Sequence, residues 1–204
     1  MSPPATVCSN GSAACDTAVV PEAPLRDTKN GPVVDGEGWF VVNARDSRWR
    51  EMGPLGAYCN FEGKRRFPNF GINLNVLGPG ERIGMYHREN AQEAFLVLAG
   101  ECTLVVEDQE RQLTAWDFFY CAPGTPHIIV TAEGQSAVVL AVGGRGRGVG
   151  GGLRYLVSEV AARHGASVAE ETTDASAAYA DVYAALPRST WAPYRDGWLP
   201  RLDP

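Results

Sequence analysis

Between residues 71 and 142 the chain is a succession of short apolar runs broken by turn residues, with no amphipathic-helix period between them. Gly71-Ile72-Asn73-Leu74-Asn75-Val76-Leu77 alternates with a period of two and stops at Gly78-Pro79-Gly80. Ile83 to His87 follows, then Ala94-Phe95-Leu96-Val97-Leu98, a tight turn at Ala99-Gly100-Glu101, and Cys102-Thr103-Leu104-Val105-Val106. Glu107 to Glu110 reads as a polar hairpin loop; Phe118 to Tyr120, His127 to Thr131 and Ala137 to Val142 read as further strands. Strands this closely spaced leave no room for crossover helices, so they must pair antiparallel. The pattern predicts an all-β sandwich or barrel.

The flanks read differently. Residues 1–35 are rich in Pro, Ala, Ser and Gly and bury too little to offset ordering entropy, which predicts a flexible arm. Trp39-Phe40-Val41-Val42-Asn43 then opens a barrel domain over residues 36–142. Residues 143–152, Gly-Gly-Arg-Gly-Arg-Gly-Val-Gly-Gly-Gly, predict a linker; no Gly-Lys-Ser/Thr follows to make a phosphate cradle. In the last segment, 153–204, a helix is expected from Val157 to His164, stopped by Gly165. A second starts with Thr173 or Asp174 as N-cap and runs through Ala185 to Pro187. The tail from Trp191 is too apolar to stay free and is expected to pack against the barrel or a partner subunit.

Composition closes off several classes of function. Gly 23 and Pro 14 in 204 residues exceed the usual share, as many tight turns require. A formal net charge of −6 gives no electrostatic footprint for nucleic acid or an anionic membrane. The cysteines, Cys8, Cys15, Cys59, Cys102 and Cys121, are odd in number and show no Cys-x-x-Cys spacing, so neither a disulfide framework nor a zinc ribbon is indicated. With no secretory leader pattern and no long apolar span, a reduced, cytoplasmic protein is expected.

Two segments carry chemistry. Within the run that follows Pro79-Gly80, His87-Arg88-Glu89-Asn90-Ala91-Gln92-Glu93 gathers one imidazole and two carboxylates just before a strand. Cys121-Ala122-Pro123-Gly124-Thr125-Pro126-His127 adds a second imidazole after a turn. Neutral imidazole with carboxylate suits iron, manganese, zinc, nickel or copper. If Ile83 to Glu89 is extended, His87 and Glu89 share a face with Met85 and Ile83; Glu93 pointing inward would take Phe95 and Val97 with it. Either Asn73 and Asn75 or Ile72, Leu74 and Val76 form the inner set of their strand. Tyr86, Arg88, Trp116 and Tyr120 could line the mouth, while Cys102 and Cys121 read as buried apolar groups. His164 sits before Gly165 at a helix end, where it favours the dipole, and is assigned no function.

The run from Gly80 through His87-x-Glu89 and Glu93 to Gly100 resembles the first motif of the cupin family, and Pro123-Gly124-Thr125-Pro126-His127 resembles the second. This resemblance covers about residues 71–142 and implies a double-stranded β-helix, or jelly-roll barrel, with a divalent metal near one mouth. His87, Glu93 and His127 match family ligands, but Glu89 stands where the family has its second histidine. Glu89 is therefore a fourth ligand, a nearby general base, or the mark of a lapsed site whose barrel holds an organic ligand. With all four residues as ligands, iron(II) or manganese(II) is preferred and zinc(II) competes. The expected function is a metal-dependent enzyme acting on a small organic molecule, with Glu89 catalytic and oxygenase (dioxygenase-type oxidoreductase) chemistry ahead of isomerase or lyase chemistry. The alternative is a non-catalytic barrel that binds a small ligand. A homodimer is also expected from the resemblance.

Overall fold

In this computed structural model the described residues are 19–145, 152–186 and 191–201. The strands are β1 (Leu25–Arg26), β2 (Val33–Val34), β3 (Arg48–Glu51), β4 (Ala57–Cys59), β5 (Phe70–Leu77), β6 (His87–Arg88), β7 (Glu93–Val106), β8 (Gln109–Thr114), β9 (Phe118–Cys121), β10 (His127–Val130), β11 (Ala137–Gly144), β12 (Arg154–Tyr155) and β13 (Trp191–Pro193). Three short helices complete the described chain: α1 (Glu159–Ala162), α2 (Ala175–Ala178) and α3 (Ala180–Ala185).

The ladders are antiparallel, and β7 belongs to both layers of a jelly roll. Its first half pairs with β9 and β11, and that layer continues through β5, β4 and β3 to β13. Its second half pairs with β8 and β10, and that layer continues through β6 to β12. Between the layers sits the main core: Leu77, Phe95, Val97, Cys102, Leu104, Cys121, Ile129, Ala137 and Val139.

Within β7 the inward residues change parity, from Phe95 and Val97 to Cys102 and Leu104. The register against β11 slips between Val138 and Val139, and Gly100 adopts φ 74°. A Cβ at Gly100 would lie 1.9 Å from the Ser136 carbonyl oxygen. What reads in sequence as a turn at Ala99-Gly100-Glu101 is thus a bend in one continuous strand. The two-residue turn is instead at Glu107 and Asp108, both at positive φ, so the hairpin loop is shorter than the four residues expected.

Other expectations need correction. Trp39 makes only an isolated bridge with Glu22, and residues 40–43 form no strand. The sheet is extended instead by β3, where Trp49 is fully buried between half-buried arginines, and by the tail, whose Trp191–Pro193 pairs with Arg48–Arg50. Trp49 packs against Tyr194 and Trp198, with ring centroids at 6.0 and 5.2 Å. Residues 1–18 of the expected arm lie outside the described residues, but within 19–35 β1 pairs with β2 and Ala23 is buried. β11 runs on through Gly143 and Gly144, two residues assigned to the linker; residues 146–151 lie outside the described residues.

The C-terminal helices are shorter than expected. Ser158 caps α1 by accepting from Ala161 N at 3.0 Å, and Gly165 with φ 64° ends that segment. Asp174 caps α2 by accepting from Ser176 N at 2.8 Å. The helical run then breaks at Tyr179 before α3, and Pro187 lies outside the described residues. No helix among the described residues is long and apolar enough to cross a membrane.

Candidate functional site

His87 lies on β6, Glu93 opens β7 and His127 opens β10. His127 is the cross-strand partner of His87, and Glu93 lies between Cys121 and Gly143 on its two neighbours. Antiparallel pairing thus brings together residues 40 apart in sequence. One ligand atom from each of His87, Glu93 and His127 falls within 4.8 Å of the others.

Both imidazoles are oriented by the same device. His87 Nδ1 lies 2.8 Å from the Met85 carbonyl oxygen, and His127 Nδ1 lies 3.0 Å from the Thr125 carbonyl oxygen. A carbonyl can only accept, so each Nδ1 carries the proton and donates it. In the neutral rings the lone pair is then on Nε2, which faces Glu93: Oε2 is 3.2 Å from His127 Nε2 and 4.0 Å from His87 Nε2. That oxygen is buried and has no hydrogen-bond partner. A buried carboxylate oxygen without a partner, flanked by two imidazole nitrogens whose other sides are pinned by carbonyls, is the donor set a divalent metal requires. The residues fit the ion.

The surroundings are apolar on one side. Phe95 meets the His127 ring edge-on at 5.4 Å and stacks on Phe119 at 5.8 Å. His127 is almost fully buried, whereas the side chains of His87 and Glu93 remain about a fifth exposed, so the group opens to solvent past those two. Burial pulls the His127 imidazole down, but its contacts with Cys121 and Glu93 outweigh this and raise it to about 10. His87 is lowered, first by burial and then by the positive charge of His127. A cleft of about 560 Å³ lined by Glu51, Ala57, Leu77, Glu81, Ala137 and Trp198 lies where the tail meets the sheet and contains none of these residues.

Glu89 is the sequence candidate that the fold does not bring into the group; its carboxylate is absent from the set of mutually close ligand atoms. It follows β6 in irregular chain, and its carbonyl accepts from Gly124 N at 2.7 Å, which ties the two motif segments together. Its carboxyl is half-buried and raised, first by burial and then by the Glu93 charge. Nor do His87 and Glu89 share a face with both Ile83 and Met85: Ile83 packs on the main core, Met85 on Tyr155 and Ala178. The backbone N–H groups of residues 83, 85 and 86 bond to three different partners, Ile129 O, Tyr179 Oη and Ala166 O, so no strand alternation is imposed.

On β5, Asn75 is buried and donates to the Val139 carbonyl oxygen at 3.3 Å, which makes Asn73, Asn75 and Leu77 the inner set and sends Leu74 and Val76 outward onto Trp49. Trp116 and Tyr120 are exposed, and Tyr86 is buried with its hydroxyl accepting from Asp108 N at 3.1 Å. Cys121 is buried as expected, and its Sγ lies 3.3 Å from Nδ1 of His127, six residues on. His164 Nε2 pairs with Glu110 at 3.0 Å, on the surface away from the group.

Residues 73–143 match the family model described as a cupin domain. No curated protein matches the chain. Among solved structures, the chain is similar to a protein of Acidithiobacillus ferrooxidans provisionally called a sugar phosphate isomerase, at 27% identity over 46% of this chain and 63% of that one, with a TM-score of 0.39. It is similar to a cupin-superfamily sugar phosphate isomerase from Silicibacter pomeroyi, at 25% identity over 50% of this chain and 62% of that one, TM-score 0.40. The polyketide cyclase RemF from Streptomyces resistomycificus is matched at 17% identity over 51% of this chain and 78% of that one, TM-score 0.45. The chain thus spans less than two thirds of the length of either isomerase.

Proposed function

Because the chain belongs to the cupin superfamily through its domain at residues 73–143, we propose that it is a metal-dependent enzyme acting on a small organic molecule. His87, Glu93 and His127 would hold the ion. The observation that carries this reading is the buried, unpartnered Oε2 of Glu93 between two Nε2 atoms. A bound divalent ion supplies Lewis-acid polarisation and a template for orienting substrate.

The chain's own groups account for the rest. Carbonyls of Met85 and Thr125 fix the two imidazoles by accepting their Nδ1 protons. Phe95 and Phe119 exclude water from the inner side of His127. That Glu89 is half-buried with a raised carboxyl and lies outside the ligand group supports a role in taking or giving a proton at a substrate over one as a ligand. Two imidazoles and one carboxylate leave coordination positions open, which supports iron(II) with oxygenase chemistry ahead of isomerisation; manganese(II) and zinc(II) fit the same donors.

The test is the metal content of protein produced without chelator or affinity nickel, beside His87→Ala and His127→Ala. About one ion per chain, lost in both variants, supports the proposal. No uptake by the wild type on adding iron(II), manganese(II) or zinc(II) overturns it and leaves a metal-free ligand-binding barrel as the reading. Given turnover on a substrate, Glu89→Gln should keep the ion and lower kcat by about 10²–10⁴, the usual worth of a positioned acid or base.

A further inference from the structure

We infer that Tyr179, contributed by the C-terminal extension rather than by the barrel, is a positioning residue for His87, acting through the backbone of Met85. The consequence for metal binding rests on the reading above; the geometry stands without it.

His87 sits on a strand of two residues, and the four residues before it have no strand of their own. The carbonyl that accepts its Nδ1–H belongs to the Met85–Tyr86 peptide. That peptide is held from the extension, because Tyr86 N donates to the Ala166 carbonyl oxygen at 2.6 Å. The preceding peptide is held from the extension too: Met85 N donates to Tyr179 Oη at 3.2 Å. The Tyr155 ring stands edge-on to the Tyr179 ring at 5.5 Å. Tyr155 is in turn the cross-strand partner of His87, with its ring 6.2 Å from the imidazole. The loop is closed: imidazole to Met85, Met85 to Tyr179, Tyr179 to Tyr155, Tyr155 back beside the imidazole.

A second observation shows the space kept for this hydroxyl. A Cβ at Gly84 would lie 2.9 Å from Tyr179 Oη. The φ of Gly84 is not in the left-handed region, so backbone freedom does not call for glycine there; room for the hydroxyl does. A hydroxyl that accepts the Met85 N–H fixes the peptide next to the one whose carbonyl holds His87. Groups behind a metal-bound histidine set its orientation and are worth about 10–100-fold in metal affinity.

The experiment is a cobalt(II) titration of the metal-free full-length chain, wild type against Tyr179→Phe, Gly84→Ala and the double variant, with thermal unfolding to verify that each is folded. Tyr179→Phe and Gly84→Ala should each weaken cobalt(II) binding by roughly tenfold. The double variant should be no weaker than either single one, because without the hydroxyl the new Cβ has nothing to strike. In the metal-free protein, ¹⁵N signals of the His87 ring should report the Nδ1–H tautomer, with that preference reduced in Tyr179→Phe. Wild-type affinity together with an unchanged tautomer in Tyr179→Phe overturns the inference, and it does so while the metal site stands if His127→Ala still abolishes binding. A wild type that takes no cobalt(II) but shows the tautomer shift overturns the metal reading and keeps the positioning role.

Discussion

Oε2 of Glu93 faces Nε2 of His127 at 3.2 Å without forming a hydrogen bond to it. In the metal-free protein the raised His127 imidazolium is the charge that faces this carboxylate. A divalent cation bound between Glu93, His87 and His127 would take the place of its proton with a larger charge and more direct contacts. Adding a divalent ion at about one hundred times its Kd should therefore stabilise the protein by about 2.7 kcal/mol. For a chain of this size that is a rise of roughly 5–10 °C in the thermal midpoint. Chelation should reverse it, and His127→Ala should show no rise. A midpoint that ignores the ion in the wild type would contradict the site.

The same pair sets a dependence on pH. His127 is raised to about 10 in the folded, metal-free protein, through Cys121 and Glu93 acting against burial, from the ordinary value of about 6.5. A group raised on folding contributes stability that is complete below its unfolded value and is lost as pH climbs through its folded value. The metal-free protein should thus lose stability between about pH 6.5 and pH 10. Over the same window metal affinity should gain, by up to about tenfold per pH unit, because the ion must displace the His127 proton. His87, already lowered by burial, adds no opposing slope. Isothermal titrations at several pH values check the sign; an affinity that falls with rising pH would rule out displacement of that proton.

Cys121 touches the site from its far side. Its Sγ lies 3.3 Å from Nδ1 of His127, and the ring carries its metal-facing Nε2 away from Nδ1. The thiol is therefore no ligand. A cobalt(II) form of the protein should lack thiolate-to-metal charge-transfer absorption, and Cys121→Ala should retain the ion. That variant should cost about 1 kcal/mol from the small void it leaves in the core beside Phe95 and Phe119. Intense near-ultraviolet absorption in the cobalt(II) form would place sulfur on the metal after all.

How much of this was readable in advance depends on which backbone groups pair locally. The strands from Phe70 to Gly144 alternate against neighbours in the same sheets, so their existence follows from period and spacing, whereas the grouping of His87 and Glu93 with His127 comes from the resemblance of their two motifs to a known family. The face of Glu89 could not be counted from Ile83, because Met85 and Tyr86 give their N–H groups to the extension rather than to a strand. β3 is a single buried tryptophan between arginines, and one of its partners, Trp191–Pro193, lies more than a hundred residues on. Nothing local marks such a strand. The bend of β7 was hidden for a related reason: glycine in a turn and glycine under a neighbouring carbonyl look alike in sequence.

That last ambiguity can be resolved by experiment. Gly80 and Gly100 both have φ 74°, so an alanine at either meets the same left-handed strain, about 1–2 kcal/mol. They differ in their surroundings: a Cβ at Gly80 meets nothing within 4 Å, whereas one at Gly100 falls 1.9 Å from Ser136 O and 2.9 Å from Ser136 C. Ser136 O already accepts from Glu101 N at 2.9 Å, so it cannot withdraw without opening the ladder at the bend. Gly80→Ala should therefore cost about 1 kcal/mol and Gly100→Ala roughly 3–5 kcal/mol, the excess being steric. With equal strain in both variants, the difference between their thermal midpoints isolates the contact. If Gly100→Ala proved as mild as Gly80→Ala, close approach of Ser136 would not be what holds β7 in its bend.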